Sequence, residues 1–430
     1  MHFFAWCVLS FGFGFAFRLR PVVLVQAALI IAVGVPEVAA PVLTGVDFGA
    51  GGFRGLLPIT VFVLGAASGA MLGNPWALSA IRLRPSTACI VPVVVVVAVV
   101  TTVLGANPGG LGQVVDEIVG PFVLLLLVLW AARQDAAAFR RLRATVLLLG
   151  VAEAGLALAQ YATHRPWLFA GYIEKTDWYV FMTRDGFRSM GTFNHPLVLA
   201  LFLLLCVAAA LSVRNAVHRY VLVLLFGAAI MATGSRSALA AAGALLVLGV
   251  MVGATRTRGR ATLGLVVASL GVVLMGPLGS GIAARFSNDQ GSSDARHAAA
   301  TLFVQEIHGR IFSGQGIGSS YLDADFGGLK TSFESPLFIL PLEIGLIWAV
   351  FLFGTMVVLM LSGLRGRRPT AFAMGALTVF ADSLTFSSWG VKGSVGYLVW
   401  FAIGLSVCAA DLDRGDRSVA QVQRPERVLV

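Results

Sequence analysis

The chain reads as an all-α, polytopic integral membrane protein, and three features predict that class. Hydrophobic residues fill 58% of its 430 positions and charged residues only 12%, with a mean hydropathy of +0.87. That is more apolar surface than a water-soluble core has use for. Apolar runs recur along nearly the whole length, many of them long enough to cross a hydrocarbon layer of about 30 Å. Basic clusters fall between alternate runs, the pattern of short loops that stay in the cytoplasm. A membrane β-barrel is excluded, because its sequence would alternate in short segments.

The elements follow in order. "MHFFAWCVLSFGFGFAF" has no basic n-region and no small-residue cleavage site, so a retained helix is expected and not a removed signal. Arg18/Arg20, Arg82/Arg84, Arg133/Arg140/Arg141/Arg143, Arg214/Arg219, Arg256/Arg258/Arg260 and Arg365/Arg367/Arg368, then Arg414 and Arg417 in the tail, can all be assigned inside without conflict. The spans then fall near 3–17, 21–40, 56–73, 88–105, 118–132, 144–162, 195–213, 219–233, 237–254, 261–277, 336–362, 370–386 and 393–410. This makes about thirteen transmembrane helices, or about twelve if the first does not cross. The organisation expected is N-terminal helices over 1–117, and central helices over 118–277 with an outer loop at 163–194. A long outer loop follows over 278–335, then C-terminal helices over 336–410 and a cytoplasmic tail over 411–430.

The net charge of +10 invites a nucleic-acid reading, but the charges sit in short loops between spans, which excludes it. Cys7, Cys89, Cys206 and Cys408 all lie in apolar runs without metal-ligand spacing, as packing or lipid-facing residues do. No cofactor and no metal is expected.

Against the charge bias, Arg184, Arg188, Arg236, Arg285, Arg296 and Arg310 face out, with Lys175, Lys330 and Lys392. Each can be a snorkelling anchor or a ligand group. Arg236 stands at the tip of the hairpin "MATGSRSALAAAG", with almost no loop to carry it into water. Ser235 or Ser237 can cap the helix that follows. Guanidinium forks grip phosphate bidentately and stay charged at any pH. Several at one outer mouth point to a diphosphate held at headgroup depth. "RSMGTFNHP" brings Arg188, Asn194 and His195 to the same kind of place, with Pro196 suited to a first helical turn. Asn194 is an N-cap or a lining residue, and His195 a satisfied interfacial histidine or a catalytic one.

In the long outer loop, "SSDARHAAATLFVQEIHGR" predicts an amphipathic helix. Ser293 is its N-cap, Asp294 and Arg296 lie in its first turn, and Ala299, Leu302, Phe303 and Ile307 form its apolar stripe. Such a helix can lie over the membrane face as a lid. The G-x-G-x-G of "IFSGQGIGSS" follows no strand, so turns and tight packing explain it better than a nucleotide loop. Glu334, just before the next membrane helix, is either a general base or an acid favoured by the helix dipole. Glu343, inside that helix, is expected to make a packing hydrogen bond to a neighbour.

An arginine, "GTFNHP", the hairpin "TGSR", a long loop with an arginine ahead of "GQGIGSS", and E-S-x-L-x-x-x-x-x-E-x-G-L occur in that order. This arrangement resembles the O-antigen ligase and O-antigen polymerase superfamily of bacterial envelope enzymes, over roughly residues 118–410. The resemblance implies transfer of a glycan from a polyprenyl-diphosphate donor to an acceptor sugar at the outer face of the cytoplasmic membrane, without nucleotide sugar or metal. It implies that Arg188, Arg236 and Arg296, with Arg285 and Arg310 as weaker matches, hold the diphosphate. Ligase-type members carry histidine then asparagine where this chain has Glu334–Ser335, and polymerase-like members often carry an acid there, so Glu334 is the first candidate catalytic residue; His195 belongs to a different motif and is the second. The implied partners are the donor lipid, a saccharide or glycolipid acceptor, the bilayer and envelope polysaccharide export or assembly proteins. The competing class is a multi-pass transporter or lipid-linked glycan flippase, which calls for ionisable groups or broken helices near the midplane. A non-catalytic envelope scaffold and a peptidoglycan polymerase of similar topology also remain open.

Overall fold

Inside a bilayer every backbone N–H needs an internal partner, so a chain this apolar must coil on itself. The computed structural model does so, and no strand occurs among its described residues. These are 2–45, 55–75, 85–105, 109–135, 137–176, 187–252, 290–327, 335–364, 371–386 and 393–422, with a few isolated positions between. The helices are α1 (His2–Ala16), α2 (Pro21–Gly34), α3 (Ala40–Thr44), α4 (Pro58–Gly73), α5 (Pro85–Leu104) and α6 (Gly110–Val114). Then come α7 (Gly120–Gln134), α8 (Ala138–Thr163), α9 (Ala170–Ile173), α10 (Pro196–Leu211), α11 (Ala216–Thr233) and α12 (Arg236–Val252). The last are α13 (Gln290–Ile307), α14 (Ser320–Phe326), α15 (Pro336–Ile344), α16 (Leu346–Gly363), α17 (Ala371–Ser383) and α18 (Val395–Val422). A π-helical turn, Val115–Val119, joins α6 to α7.

Among the described residues five helices are long and apolar enough to cross a membrane: Ser86–Leu104, Gly110–Gln134, Ala138–Thr163, Ala216–Thr233 and Leu346–Gly363. A sixth span arises if Pro21–Gly34 and Glu37–Thr44 count as one, and shorter apolar helices fill the bundle around them. The protein is therefore an α-helical, membrane-embedded, multi-pass chain. At its centre α10 is buried on nearly every side, from Val198 to Ala210. Helix α1 lies tightly along α4: Gly14 backs onto Ala66, and Gly65 and Gly69, a small-xxx-small pair, receive Ser10 and Phe11.

Two expected helices are broken. The span read as 21–40 bends by 94° after Gly34, where Val35 is extended ahead of Pro36, which can neither donate an N–H nor follow a helical residue easily. The span read as 336–362 divides at Gly345, whose φ of 101° only glycine adopts readily. The helix expected at 261–277 lies outside the described residues.

Candidate functional site

The two classes of arginine lie at opposite ends of the bundle. Arg143 at the start of α8 reaches the Ser212 carbonyl just past α10 (3.3 Å), and Arg219 at the start of α11 reaches Val213 (3.2 Å). Arg141 pairs with Asp135 (2.9 Å) at that same end. The other ends of these helices, Thr163, His195 and Thr233, carry the segment with Arg188 and the hairpin tip with Arg236.

Arg188 is placed by α8. Glu153, Ala157 and Gln160 are spaced four and three apart and so share one helix face, and all three bind the "RSMGT" segment. The Gln160 carboxamide accepts from Met190 N (3.1 Å) and Gly191 N (2.9 Å) and donates to Gly191 O (2.7 Å). Ser189 Oγ donates to Ala157 O (2.7 Å). Glu153 accepts from Thr192 N (2.9 Å) and Thr192 Oγ1 (2.7 Å), and the Thr192 hydroxyl also meets the Val33 carbonyl at the end of α2. Gly191, with φ 63°, packs directly on the Glu153 carboxyl, leaving no room for a Cβ. On the other side Ser189 N donates to Ala232 O (3.0 Å) and Arg188 Nε to Thr233 O (2.8 Å). The guanidinium is thus fixed against the end of α11.

The hairpin tip turns at Gly234 (φ 65°). Ser235 Oγ accepts from Ala238 N (3.3 Å), so Ser235 caps α12 as expected. Arg236 follows on its first turn, half-buried. Arg188 and Arg236 therefore flank one three-residue turn, Thr233–Ser235.

His195, and not Asn194, is the N-cap of α10: its Nδ1 accepts from Leu197 N (3.1 Å). The proton of a neutral ring then lies on Nε2, which can donate but not accept. The ring stacks on Phe386, with centroids 6.3 Å apart and planes 3° apart, and Arg188 is its electrostatic neighbour.

Phe386 belongs to a turn after α17 that the sequence reading did not single out. Three elements converge there. Ser335, the N-cap of α15, donates to Leu384 O (2.9 Å). Thr385 Oγ1 approaches Ser237 Oγ on the hairpin tip (3.3 Å). Phe386 carries His195. Ser237 also hydrogen-bonds the carboxylate of Asp382, which is 3% exposed.

The other candidates separate. Arg296 is exposed on α13. That helix begins at Gln290, so Ser293 lies within it and is not its N-cap. The expected stripe, Ala299, Leu302, Phe303 and Ile307, packs with Phe333, Ile339 and Leu342, so α13 is docked on α15. Arg310 is buried and held by Glu306 (3.0 Å) and Asp323 (2.5 Å), which makes it a brace within the loop. Arg184, Arg285, Glu334, Lys330 and Lys392 lie outside the described residues. The G-x-G-x-G run is packed as expected. Gln315 N and Gly316 N donate to Leu342 O (3.2 Å) and Glu343 O (2.8 Å), and Leu346 N donates to Arg310 O (3.1 Å), so the run satisfies backbone groups freed by the Gly345 break. Glu343 accepts from Gly318 N (2.9 Å) and Ser320 Oγ (2.7 Å), so its partners are the 318–320 segment at the start of the short helix α14 and not a neighbouring membrane helix.

Further carboxylates that the sequence reading passed over lie at this end. Glu37 accepts from Ser394 N (2.8 Å). Asp116 receives Leu57 N (3.1 Å) and the Thr60 hydroxyl, to which Tyr397 donates (2.6 Å), and Glu117 receives Gln113 (2.7 Å).

Fold and site together define a helical membrane protein with arginine and hydroxyl side chains gathered at one end of its bundle. No protein-family model matches the chain, and no curated protein matches it.

Proposed function

We propose that the protein is a membrane glycosyltransferase of the O-antigen ligase and polymerase type, with polymerase-like chemistry favoured by the acid at position 334. One observation carries the reading: Arg188 and Arg236, far apart in sequence, flank the same three-residue turn beside His195. In this reading the described bundle, completed by a span at 261–277, makes about thirteen crossings, and the mouth faces out of the cytoplasmic membrane. The docked amphipathic helix α13 covers part of the outer face and brings Arg296 near it.

The two arginines hold the diphosphate of a polyprenyl-linked donor, and their charge stabilises the negative charge that builds on the leaving oxygen. His195 donates to that region through Nε2–H. The acceptor hydroxyl attacks the anomeric carbon directly, with inversion, because no carboxylate among the described residues stands out as a covalent nucleophile. A carboxylate takes the acceptor's proton: Glu334 is the candidate from the sequence, and Asp382, just before the 384–386 turn, is a second acid at this end. The partners are the donor lipid, a saccharide or glycolipid acceptor, and envelope polysaccharide export or assembly proteins.

The test is transfer by the purified protein in lipid nanodiscs, with undecaprenyl-diphosphate-linked glycan extracted from cells lacking it. Accumulation in those cells of donor bearing one repeat unit indicates a polymerase; accumulation of polymer on the lipid indicates a ligase.

A second reading, a transporter or flippase, draws on the 94° break between α2 and α3 and on buried Glu37 beside it. Reconstituted vesicles separate the two. A flippase moves fluorescent lipid-linked glycan across the bilayer and forms no glycosidic bond.

A further inference from the structure

Asp382 is a buried acid without an obvious structural need. One carboxylate oxygen is met by Ser237, and Oδ1 has no hydrogen-bond partner among the described residues. A brace between α17 and α12 would need only a neutral hydroxyl, and an unmatched buried carboxylate oxygen costs stability. Its surroundings are those of the mouth. Ser237 is half-buried and follows Arg236 directly, Thr385 touches Ser237, and Phe386, four residues beyond Asp382, supports His195. The hydroxyls also run in one direction. Ser235 Oγ lies 3.3 Å from Ser237 Oγ while accepting from Ala238 N, so Ser235 can donate to Ser237 and Ser237 to the carboxylate.

Resting on the glycosyltransferase reading, we propose that Asp382 is the proton acceptor of the reaction, working through the Ser237 hydroxyl. As the acceptor oxygen bonds to the anomeric carbon, its proton passes to Ser237 Oγ and the Ser237 proton passes to Asp382. The bond from the anomeric carbon to the diphosphate oxygen breaks, and its electron pair leaves with the diphosphate between Arg188 and Arg236. Asp382 then returns its proton to solvent through the same hydroxyl. Ser237 touches the substrate, while Asp382 acts behind it.

The experiment uses the full chain in nanodiscs, the extracted undecaprenyl-diphosphate-linked glycan for turnover and undecaprenyl diphosphate alone for binding. Asp382→Asn is expected to lower kcat by about a hundredfold, the scale of a general base, with donor KM and undecaprenyl diphosphate affinity within about twofold. Ser237→Ala should reproduce that loss. Asp382→Glu should recover most of the rate, which a packing defect would not allow. The proposal is overturned if Asp382→Asn turns over normally or if the loss of kcat belongs to Glu334→Gln instead. It is equally overturned if Asp382→Asn loses diphosphate binding along with turnover and glutamate does not rescue it. A wild-type protein that neither binds undecaprenyl diphosphate nor transfers glycan removes the underlying reading, and this one with it.

Discussion

Replacing Gln160 by leucine tests how Arg188 is held. Leucine roughly preserves the volume but removes three buried hydrogen bonds, leaving Met190 N, Gly191 N and Gly191 O unmatched. Each buried polar group left unsatisfied costs about 1–3 kcal/mol. Relaxation is limited, because Gly191 is pressed against the Glu153 carboxyl and Ser189 is bonded on both sides. For three groups the expected loss is about 3–9 kcal/mol. Its lower bound already changes the folding equilibrium by roughly a hundredfold. Two readouts follow. The temperature at which half the detergent-solubilised protein stays monodisperse should fall by several degrees. Transfer should also fall at temperatures where the variant is still folded, because Arg188 stands two residues before Met190 and loses its fixed aim. A Gln160→Leu protein that melts with the wild type and transfers at its rate would refute the reasoning outright.

Arg188→Ala and Arg236→Ala should each reduce transfer by at least about a hundredfold in protein that still folds, and lysine should rescue poorly because a point charge lacks the bidentate fork; full activity of Arg236→Lys in the nanodisc assay would show that charge alone suffices. Cysteines introduced at 296 and 258 should label from outside and inside the cell respectively, and the opposite result would invert the membrane orientation. Glu343→Gln keeps the oxygen that receives Gly318 and Ser320, so melting should shift by only a few degrees with transfer preserved, whereas Glu343→Ala should melt clearly lower; equal melting of the two would dismiss that anchor.

What the sequence made legible was what periodicity and charge control. The alternation of basic loops put Arg143 and Arg219 at one end of the bundle and Arg188 and Arg236 at the other, as the helices do. The stripe on α13 was readable because apolar spacing alone sets which face packs. Cross-chain partners were not readable. Asp382 was hidden inside an apolar helix, and its link to Ser237 exists only because α17 ends beside the hairpin tip. Glu153 and Gln160 did carry a signal, two polar residues seven apart in a membrane helix, which share a face and must find partners there. The broken spans had theirs too, in Pro36 and Gly345.

Why an arginine, an asparagine and a histidine should crowd the start of α10 has a physical answer in the N-cap. A helix N-terminus presents N–H groups that need an acceptor, and serine or asparagine would meet that need with nothing left over. Histidine meets it through Nδ1, which puts the proton of a neutral ring on Nε2. Because Nδ1 accepts from Leu197 N, the ring's orientation and its tautomer are set by the backbone, and Phe386 fixes its plane. The same backbone bond that caps the helix therefore sets the ring's Nε2–H with Arg188 as its charged neighbour. That arrangement serves an anion and disfavours His195 as a base, since the lone pair a base would use is already occupied. In the proposed reaction the proton of the acceptor must go elsewhere, and Asp382 stands within the same set of contacts that hold the histidine.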